Sequence, residues 1–135
     1  MRIPFKTIKD SRGISEFEEF YKSLPLKDKN KLIALLKKVQ EKGILDAISM
    51  KWVDKLDDNL FELRSKHANN IQRALYFHIY DTDYGSYYII THGFTKKSQK
   101  TPQVEINRAK KIRDNFLAQP KEHIRNILKS WKEGE

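Results

Sequence analysis

Five side chains between positions 64 and 97 have the chemistry needed to act on a phosphate group. The guanidinium groups of Arg64 and Arg73 stay charged and can each bind two phosphate oxygens. Lys96 and Lys97 can neutralise phosphate charge, and a lysine whose pKa is lowered in a cationic cluster can transfer a proton. His92 precedes them, and its usual pKa range suits acid–base work near neutral pH. These five residues are the predicted catalytic set.

A basic segment follows these residues and predicts a polyanion partner, nucleic acid above all. Residues 94–113 hold seven cations and a single acid, Glu105. Such a cluster favours contact with a phosphate backbone, although it also fits a solvated helix face. The tyrosine Tyr76 is a candidate for stacking on a base, with burial in the core as the alternative. The predicted nucleic-acid-binding residues are Lys100, Arg108, Lys110, Lys111 and Tyr76.

Structural pairing is the alternative for the arginines and for the histidine. Arg64 has acidic neighbours in Glu62 and in the pair at 57–58, so an internal ion pair competes with a phosphate role. A histidine within a strand is also often a structural residue, which applies to His92 and more strongly to His78. The four histidines show no metal-ligand spacing, and the chain has no cysteine. We therefore expect no metal, no cofactor and no thiolate nucleophile.

The elements that must position these side chains follow from hydrophobic periodicity. A short strand is predicted over 2–8, and Ser15 with Glu18 has the form of a capping box that opens a helix. Pro25 and Gly43 end the first and second helices, whose apolar stripes predict an antiparallel helical hairpin. Segment 44–56 fits either a helix or a loop. Three strands at 59–65, 71–80 and 85–94 predict an antiparallel meander.

Two further helices are predicted after the strands. Thr101 and Pro102 form an N-cap followed by proline in the first helical position, and Pro120 separates this helix from the last one. The order predicts an α+β fold in which helices lie on one side of a curved antiparallel sheet. We expect a single domain over 1–135, with the helix at 120–132 as an extension. Trp131 in that helix either packs on the core or marks a contact surface.

Composition excludes several classes of protein. The formal net charge is +9, and hydrophobic residues make up 39% of the 135 residues, which is enough for one core and too much for a disordered chain. No apolar run approaches the length of a membrane span, and the first residues lack the apolar region of a signal peptide. We expect a cytoplasmic protein without a membrane partner.

Three sequence blocks at matching spacing resemble one known family. They are Lys55–Arg64 (KLDDNLFELR), Arg73–Phe77 (RALYF) and His92–Pro102 (HGFTKKSQKTP). This pattern resembles the phage-derived, HigB-like branch of the RelE/ParE toxin superfamily over about 50–118. Asn59 stands where that pattern usually has glycine, and asparagine tolerates a positive φ better than most residues.

The resemblance implies a toxin of a toxin–antitoxin pair, neutralised by an antitoxin that often carries a helix-turn-helix domain. HigB-like and RelE-like members are mRNA endoribonucleases, typically acting on the ribosome and without a metal ion, whereas ParE-like members inhibit DNA gyrase. If the protein is an endoribonuclease, the ribose 2′-oxygen is the nucleophile. The protein then orients this oxygen, stabilises the charge on the phosphoryl group and transfers protons. The His92–Lys100 block with Arg64 and Arg73 favours this nuclease branch. A ParE-like inhibitor, or an inactive homologue, remains the alternative, and a plain RNA-binding module is disfavoured because no such motif is present.

Overall fold

The computed structural model describes residues 2–97 and 99–134, and within them one sheet of five strands is accompanied by five helices. The predicted α+β class is confirmed. The strands and helices have the following bounds: β1 Phe5–Thr7, α1 Glu16–Ser23, α2 Leu26–Lys42, α3 Ile44–Ser49, β2 Val53–Asp57, β3 Leu60–His67, β4 Asn70–Asp81, β5 Gly85–Lys96, α4 Gln103–Leu117 and α5 Lys121–Glu133.

The sheet is mixed, with strand order β1-β5-β4-β3-β2. β3, β4 and β5 form the predicted antiparallel meander, and β2 pairs antiparallel with β3. β1, however, pairs parallel with β5, which corrects the expectation of a wholly antiparallel sheet. A parallel partner needs a long crossover connection, and helices α1 to α3 together with β2 to β4 separate β1 from β5 in the chain.

Helices cover both faces of the sheet, which corrects the expectation that they lie on one side. Alternate residues of β4 enter different cores. Ala74 and Tyr76 pack with the apolar residues of α1 and α2, whereas Leu75 and Phe77 pack with residues of α4 and α5. The sheet is therefore buried on both sides, which explains why both phases of its strands are partly apolar.

The first two helices each turn an apolar stripe to the sheet. α1 packs on β5, and α2 packs on β3. Because each helix packs on its own strand, the antiparallel hairpin that we expected between them stays a prediction. Of the stripe residues expected to be buried, Phe20 and Leu35 are half-buried. The others, Phe17, Leu24, Leu32 and Leu36, are buried.

The local signals for helix ends were mostly correct. Ser15 caps α1 by accepting a hydrogen bond from the amide of Glu18, and Gly43 at φ 85° ends α2. At α4 the prediction was wrong by one residue, because Pro102 takes the N-cap position and Thr101 makes no cap hydrogen bond. Asn59 adopts a positive φ of 47°, as expected of a residue that replaces glycine.

The ambiguous segment 44–56 contains both a helix, α3, and the start of an edge strand, β2. At the other end of the chain, Trp131 of α5 packs on Tyr87, with ring centroids 5.4 Å apart, so this tryptophan contributes to the core. No helix in the described part of the chain is long and apolar enough to cross a membrane.

Candidate functional site

Three neighbouring cross-strand rows place most of the predicted catalytic residues on the sheet face that α4 covers. The register aligns Glu62, Leu75 and His92 in the first row, and Arg64, Arg73 and Phe94 in the second. The third row contains Lys66, Ile71 and Lys96. Polar and cationic side chains therefore follow one another from the interior of the sheet to its exposed end.

A register shift in β5 brings His92 into this set. Leu75 pairs with His92 and Tyr76 pairs with Ile90, so Thr91 is the extra residue of a bulge. Strict alternation would place His92 with Ile90 on the opposite face. The Thr91 hydroxyl donates a hydrogen bond of 3.2 Å to the carbonyl of Leu75. The bulge thereby places His92 on the face that carries Arg73.

The two arginines meet around a buried carboxylate. Arg64 Nε donates to Glu62 Oε1 at 2.5 Å, and Arg73 lies 3.5 Å from Glu62 Oε2. The Thr101 hydroxyl donates to Glu62 Oε2 at 2.7 Å and accepts from Arg73 at 3.1 Å. The side chains of Glu62 and Arg73 are both 0% exposed. We call Glu62, Arg64, Arg73 and Thr101 the buried polar network.

Arg64 is the member of this network that reaches solvent. Its side chain is 18% exposed and forms a second ion pair, of 3.0 Å, with Asp54. The structural alternative noted for Arg64 is thus partly right: it pairs with Glu62, but its aspartate partner is Asp54. Sequence reasoning missed Thr101 as a network member, because a threonine before a proline reads as a helix cap.

His92 is also enclosed. The residue is 1% exposed, Nδ1 lies 3.1 Å from the Thr91 hydroxyl and Nε2 lies 3.3 Å from Glu105. Burial, followed by the charge of Arg108, lowers the pKa of His92, and Glu105 opposes this shift only in part. The Phe94 ring stacks on His92 at 5.7 Å and lies 6.0 Å from the guanidinium of Arg73.

The lysines at the end of β5 and in the loop that follows it are exposed. Lys96 ends the strand and Lys97 follows it, and both side chains are open to solvent. Neither forms an ion pair with a carboxylate in the part of the chain that the structure describes. Lys100, further along the same loop, is exposed as well. These lysines are the most accessible members of the predicted set.

Two of the three α4 cations that we predicted to bind nucleic acid form ion pairs within the protein. Arg108 bonds Glu16 of α1, and Lys110 bonds Asp57 of β2, whereas Lys111 is exposed. Tyr76 is 0% exposed, and its ring stacks on Phe61 at 5.5 Å. The tyrosine therefore lies in the core between sheet and N-terminal helices, where a base has no access in this conformation.

Among residues 2–97 and 99–134, no three histidine or acidic side chains are grouped as they would be around a metal ion. The accessible charged groups that the site presents are the cations of Arg64, Lys96 and Lys97. Guanidinium and ammonium groups can stabilise the charge that develops on a phosphoryl group without any change in their own protonation.

Comparison with known proteins identifies one family. A family model described as phage-derived protein Gp49-like (DUF891) matches residues 19–114, a range that contains the buried polar network and His92. No curated protein and no solved structure shows a significant match.

Proposed function

The chain belongs to the phage-derived Gp49-like family, and from this membership we propose that it is the toxin of a toxin–antitoxin pair that cleaves mRNA. The family is associated with RelE-like toxin endoribonucleases. The partner we propose is an antitoxin with a helix-turn-helix domain, and the site of action is mRNA on the ribosome in the cytoplasm.

The observation that supports this proposal is the row arrangement at the exposed end of the sheet. Arg64 reaches solvent there while its guanidinium is held by Glu62. Lys66 and Lys96 flank Ile71 in the next row, and both are exposed. A phosphate at this edge would meet one preorganised guanidinium and several ammonium groups, as charge stabilisation requires.

In the proposed mechanism the RNA supplies the nucleophile. The 2′-hydroxyl loses its proton as its oxygen attacks the adjacent phosphorus. The bond to the 5′-oxygen breaks and that oxygen takes up a proton, so a 2′,3′-cyclic phosphate and a 5′-hydroxyl result. Arg64, Lys96 and Lys97 stabilise the negative charge on the phosphoryl oxygens, and no metal ion takes part. Lys100 and Lys111 are assigned to the RNA backbone, together with Arg108 and Lys110 where these exchange their internal carboxylates for phosphate.

Arg73 and His92 act from inside the protein. Arg73 has no access to solvent, so we assign it to holding Glu62 and thereby Arg64, as a positioning residue. The Nε2 atom of His92 contacts Glu105, whose side chain is 17% exposed. A proton can move between His92 and the substrate through Glu105.

The test uses purified full-length protein, a single-stranded RNA of mixed sequence and EDTA. Wild type should generate fragments with new 5′-hydroxyl ends, and Arg64→Ala should slow cleavage on the order of 100-fold, as expected when a charge-stabilising donor is lost. Arg64→Lys should not restore the rate, because an ammonium group cannot replace the guanidinium fork. Lys121→Ala, an exposed change on α5, is the control.

A ribosome-dependent enzyme would leave isolated RNA intact, so the same variants are also expressed in cells. New 5′ ends within coding regions should then appear with wild type and not with Arg64→Ala. Intact RNA in both assays would contradict the nuclease assignment.

The enclosure of Arg73, His92 and Tyr76 favours one alternative. A site whose predicted functional side chains are buried fits a toxin that blocks its target without cutting RNA, as ParE-like inhibitors of DNA gyrase do. Growth arrest accompanied by trapped gyrase–DNA complexes and intact mRNA would establish this alternative.

A further inference from the structure

A basic groove lies between α2 and the edge of β3, beside the proposed site, and Arg64 lines both. Its volume is about 360 Å³. Cations line it from three elements: Lys31 and Lys38 on α2, Lys51 before β2, and Arg64 and Lys66 on β3. Its apolar lining comes from Ala34, Leu35 and Trp52.

The groove exists because β2 is shorter than β3. The pairing of β2 with β3 reaches Val53 opposite Leu63, and the last contact on this side is the hydrogen bond of 3.0 Å from the Arg64 amide to the Trp52 carbonyl. Beyond this point the edge of β3 has no strand beside it, and α2 forms the opposite wall.

The four lysines of the groove have no carboxylate partner among the described residues. Lys31, Lys38, Lys51 and Lys66 are exposed. Lys38 lies over the Trp52 ring at 5.7 Å. Only Arg64 has acidic partners, Glu62 and Asp54. Like charges gathered without counter-charges repel one another, so this arrangement favours an anionic ligand.

Lys51 gives independent support. Its φ of 61° lies in the left-handed region, where a residue other than glycine or asparagine is strained. Glycine would suit the backbone better there, so the side chain is present in spite of a conformational cost. Strain of this kind is often found where a side chain has a function.

We propose that this groove binds the backbone of single-stranded RNA and leads it to Arg64. The inference rests on the proposed function for its substrate. A row of ammonium groups beside an aromatic ring is the usual combination for single-stranded nucleic acid, with phosphates on the cations and a base against the ring. Arg64 lines the groove and also belongs to the buried polar network, so a strand in the groove would reach the proposed site directly.

Binding is measured with a fluorescent 2′-O-methyl RNA strand, which lacks the attacking hydroxyl and cannot be cut. Lys31→Ala with Lys38→Ala should weaken binding and reduce the slope of log Kd against log salt by about 1.4, since each phosphate contact on a single strand contributes roughly 0.7. The matched control is Lys37→Ala with Lys42→Ala, which removes the same charge from α2 outside the groove and should leave the slope unchanged.

Lys51→Gly tests whether the Lys51 side chain contributes to RNA binding and not to the stability of the fold. It should weaken RNA binding while the melting temperature stays the same or rises, because glycine relieves the left-handed backbone. With Trp131 replaced by phenylalanine, the fluorescence of Trp52 should change on addition of RNA, and this change should be lost in Lys31→Ala/Lys38→Ala.

Equal slopes for the groove and control variants would overturn the inference, since binding would then follow net charge alone. It is also overturned if polyglutamate binds the groove while RNA binding is insensitive to the substitutions, which would indicate an acidic protein partner. Groove-dependent binding with no cleavage of RNA, either isolated or in cells, would support the groove and contradict the nuclease. If the groove variants bind RNA normally and the protein cleaves RNA, the result would contradict the groove and support the nuclease.

Discussion

At the scale of single residues, the buried polar network fixes the position of Arg64, the guanidinium that we propose to contact phosphate. Glu62 is 0% exposed and contacts both Arg64 and Arg73. Two guanidinium groups compensate one carboxylate, and Thr101 supplies a further hydrogen bond. Such a group of charges is stable only while each partner is present, because an uncompensated buried charge is costly. Arg64 is thereby held in one position while part of it remains accessible.

Replacing the carboxylate at the centre tests this account. Glu62→Gln removes the buried carboxylate that contacts both Arg73 and Arg64 and should lower the free energy of unfolding by about 3–5 kcal/mol. Urea denaturation at pH 7 measures the change. The control is Glu41→Gln, an exposed glutamate on α2, which should stay within about 0.5 kcal/mol of wild type. Near-equal effects of the two changes would show that Glu62 does not organise the arginines.

Two enclosed histidines make stability depend on pH. Burial lowers the pKa of both His78 and His92 from the usual value of 6.5. The folded protein then binds protons less readily than the unfolded chain, so stability is lost as the pH falls below about 6.5. The urea midpoint should decrease between pH 7.5 and 5.5, and the decrease should be smaller in His92→Gln. His123→Gln, at an exposed position of α5, is the control. An unchanged pH dependence in His92→Gln would contradict this assignment.

At the scale of elements, two positions show how helices and strands are joined. Asn59 uses both ends of its amide to bind the backbone of His78, at 2.8 and 2.9 Å, so this turn is tied to β4 in a way that glycine cannot provide. At Gly93 the reason is close packing of α1 on β5. A Cβ there would lie 2.7 Å from Cε2 of Phe20 and 3.0 Å from the carbonyl of Arg73.

The glycine of the His92–Gly93–Phe94 block can therefore be tested as a packing position. Gly93→Ala should force α1 away from the sheet and lower the free energy of unfolding by about 1–3 kcal/mol, as overpacking does. Gly134→Ala, where the nearest atom outside the neighbouring residues is 3.4 Å from the added Cβ, should have little effect. Thermal melting of both variants gives the comparison, and a fully stable Gly93→Ala protein would refute the packing explanation.

At the scale of the whole molecule, one sheet connects two helical layers. Core residues of α1 and α2 contact one face, and those of α4 and α5 contact the other. Ion pairs cross between distant parts of the chain, such as Arg108 with Glu16 and Lys110 with Asp57. Every strand of the meander contributes residues to both cores. If either helical layer unfolded, it would expose an apolar face of the sheet on which the other layer also packs.

This arrangement predicts a single unfolding transition. The two tryptophans report on different layers, Trp52 on the N-terminal side and Trp131 on the C-terminal side. Proteins carrying Trp52→Phe or Trp131→Phe should each unfold in urea with one transition, and for each variant the fluorescence midpoint should equal the midpoint from circular dichroism. Fluorescence and circular-dichroism midpoints that differ would show that the layers are separate folding units, against the prediction of one domain.

The sequence by itself determined the features that depend on near neighbours. Apolar periodicity, the Ser15 cap, Gly43 and the turns between strands gave the α+β class and most helices and strands, because these signals act within a few residues. The spaced blocks from Lys55 to Pro102 also gave the family context.

Only the tertiary structure decided which side chains meet and which remain accessible. The parallel pairing of β1, the bulge that turns His92 to the face of Arg73, and the groove between α2 and β3 all join residues far apart in the chain. Arg73 and Tyr76 were candidates for contact with RNA, with a structural role as the alternative for each, and both are buried because α4 and the N-terminal helices cover opposite faces of the same sheet. Contacts of this kind depend on how the layers pack, and periodicity along one strand carries no information about the element that covers it.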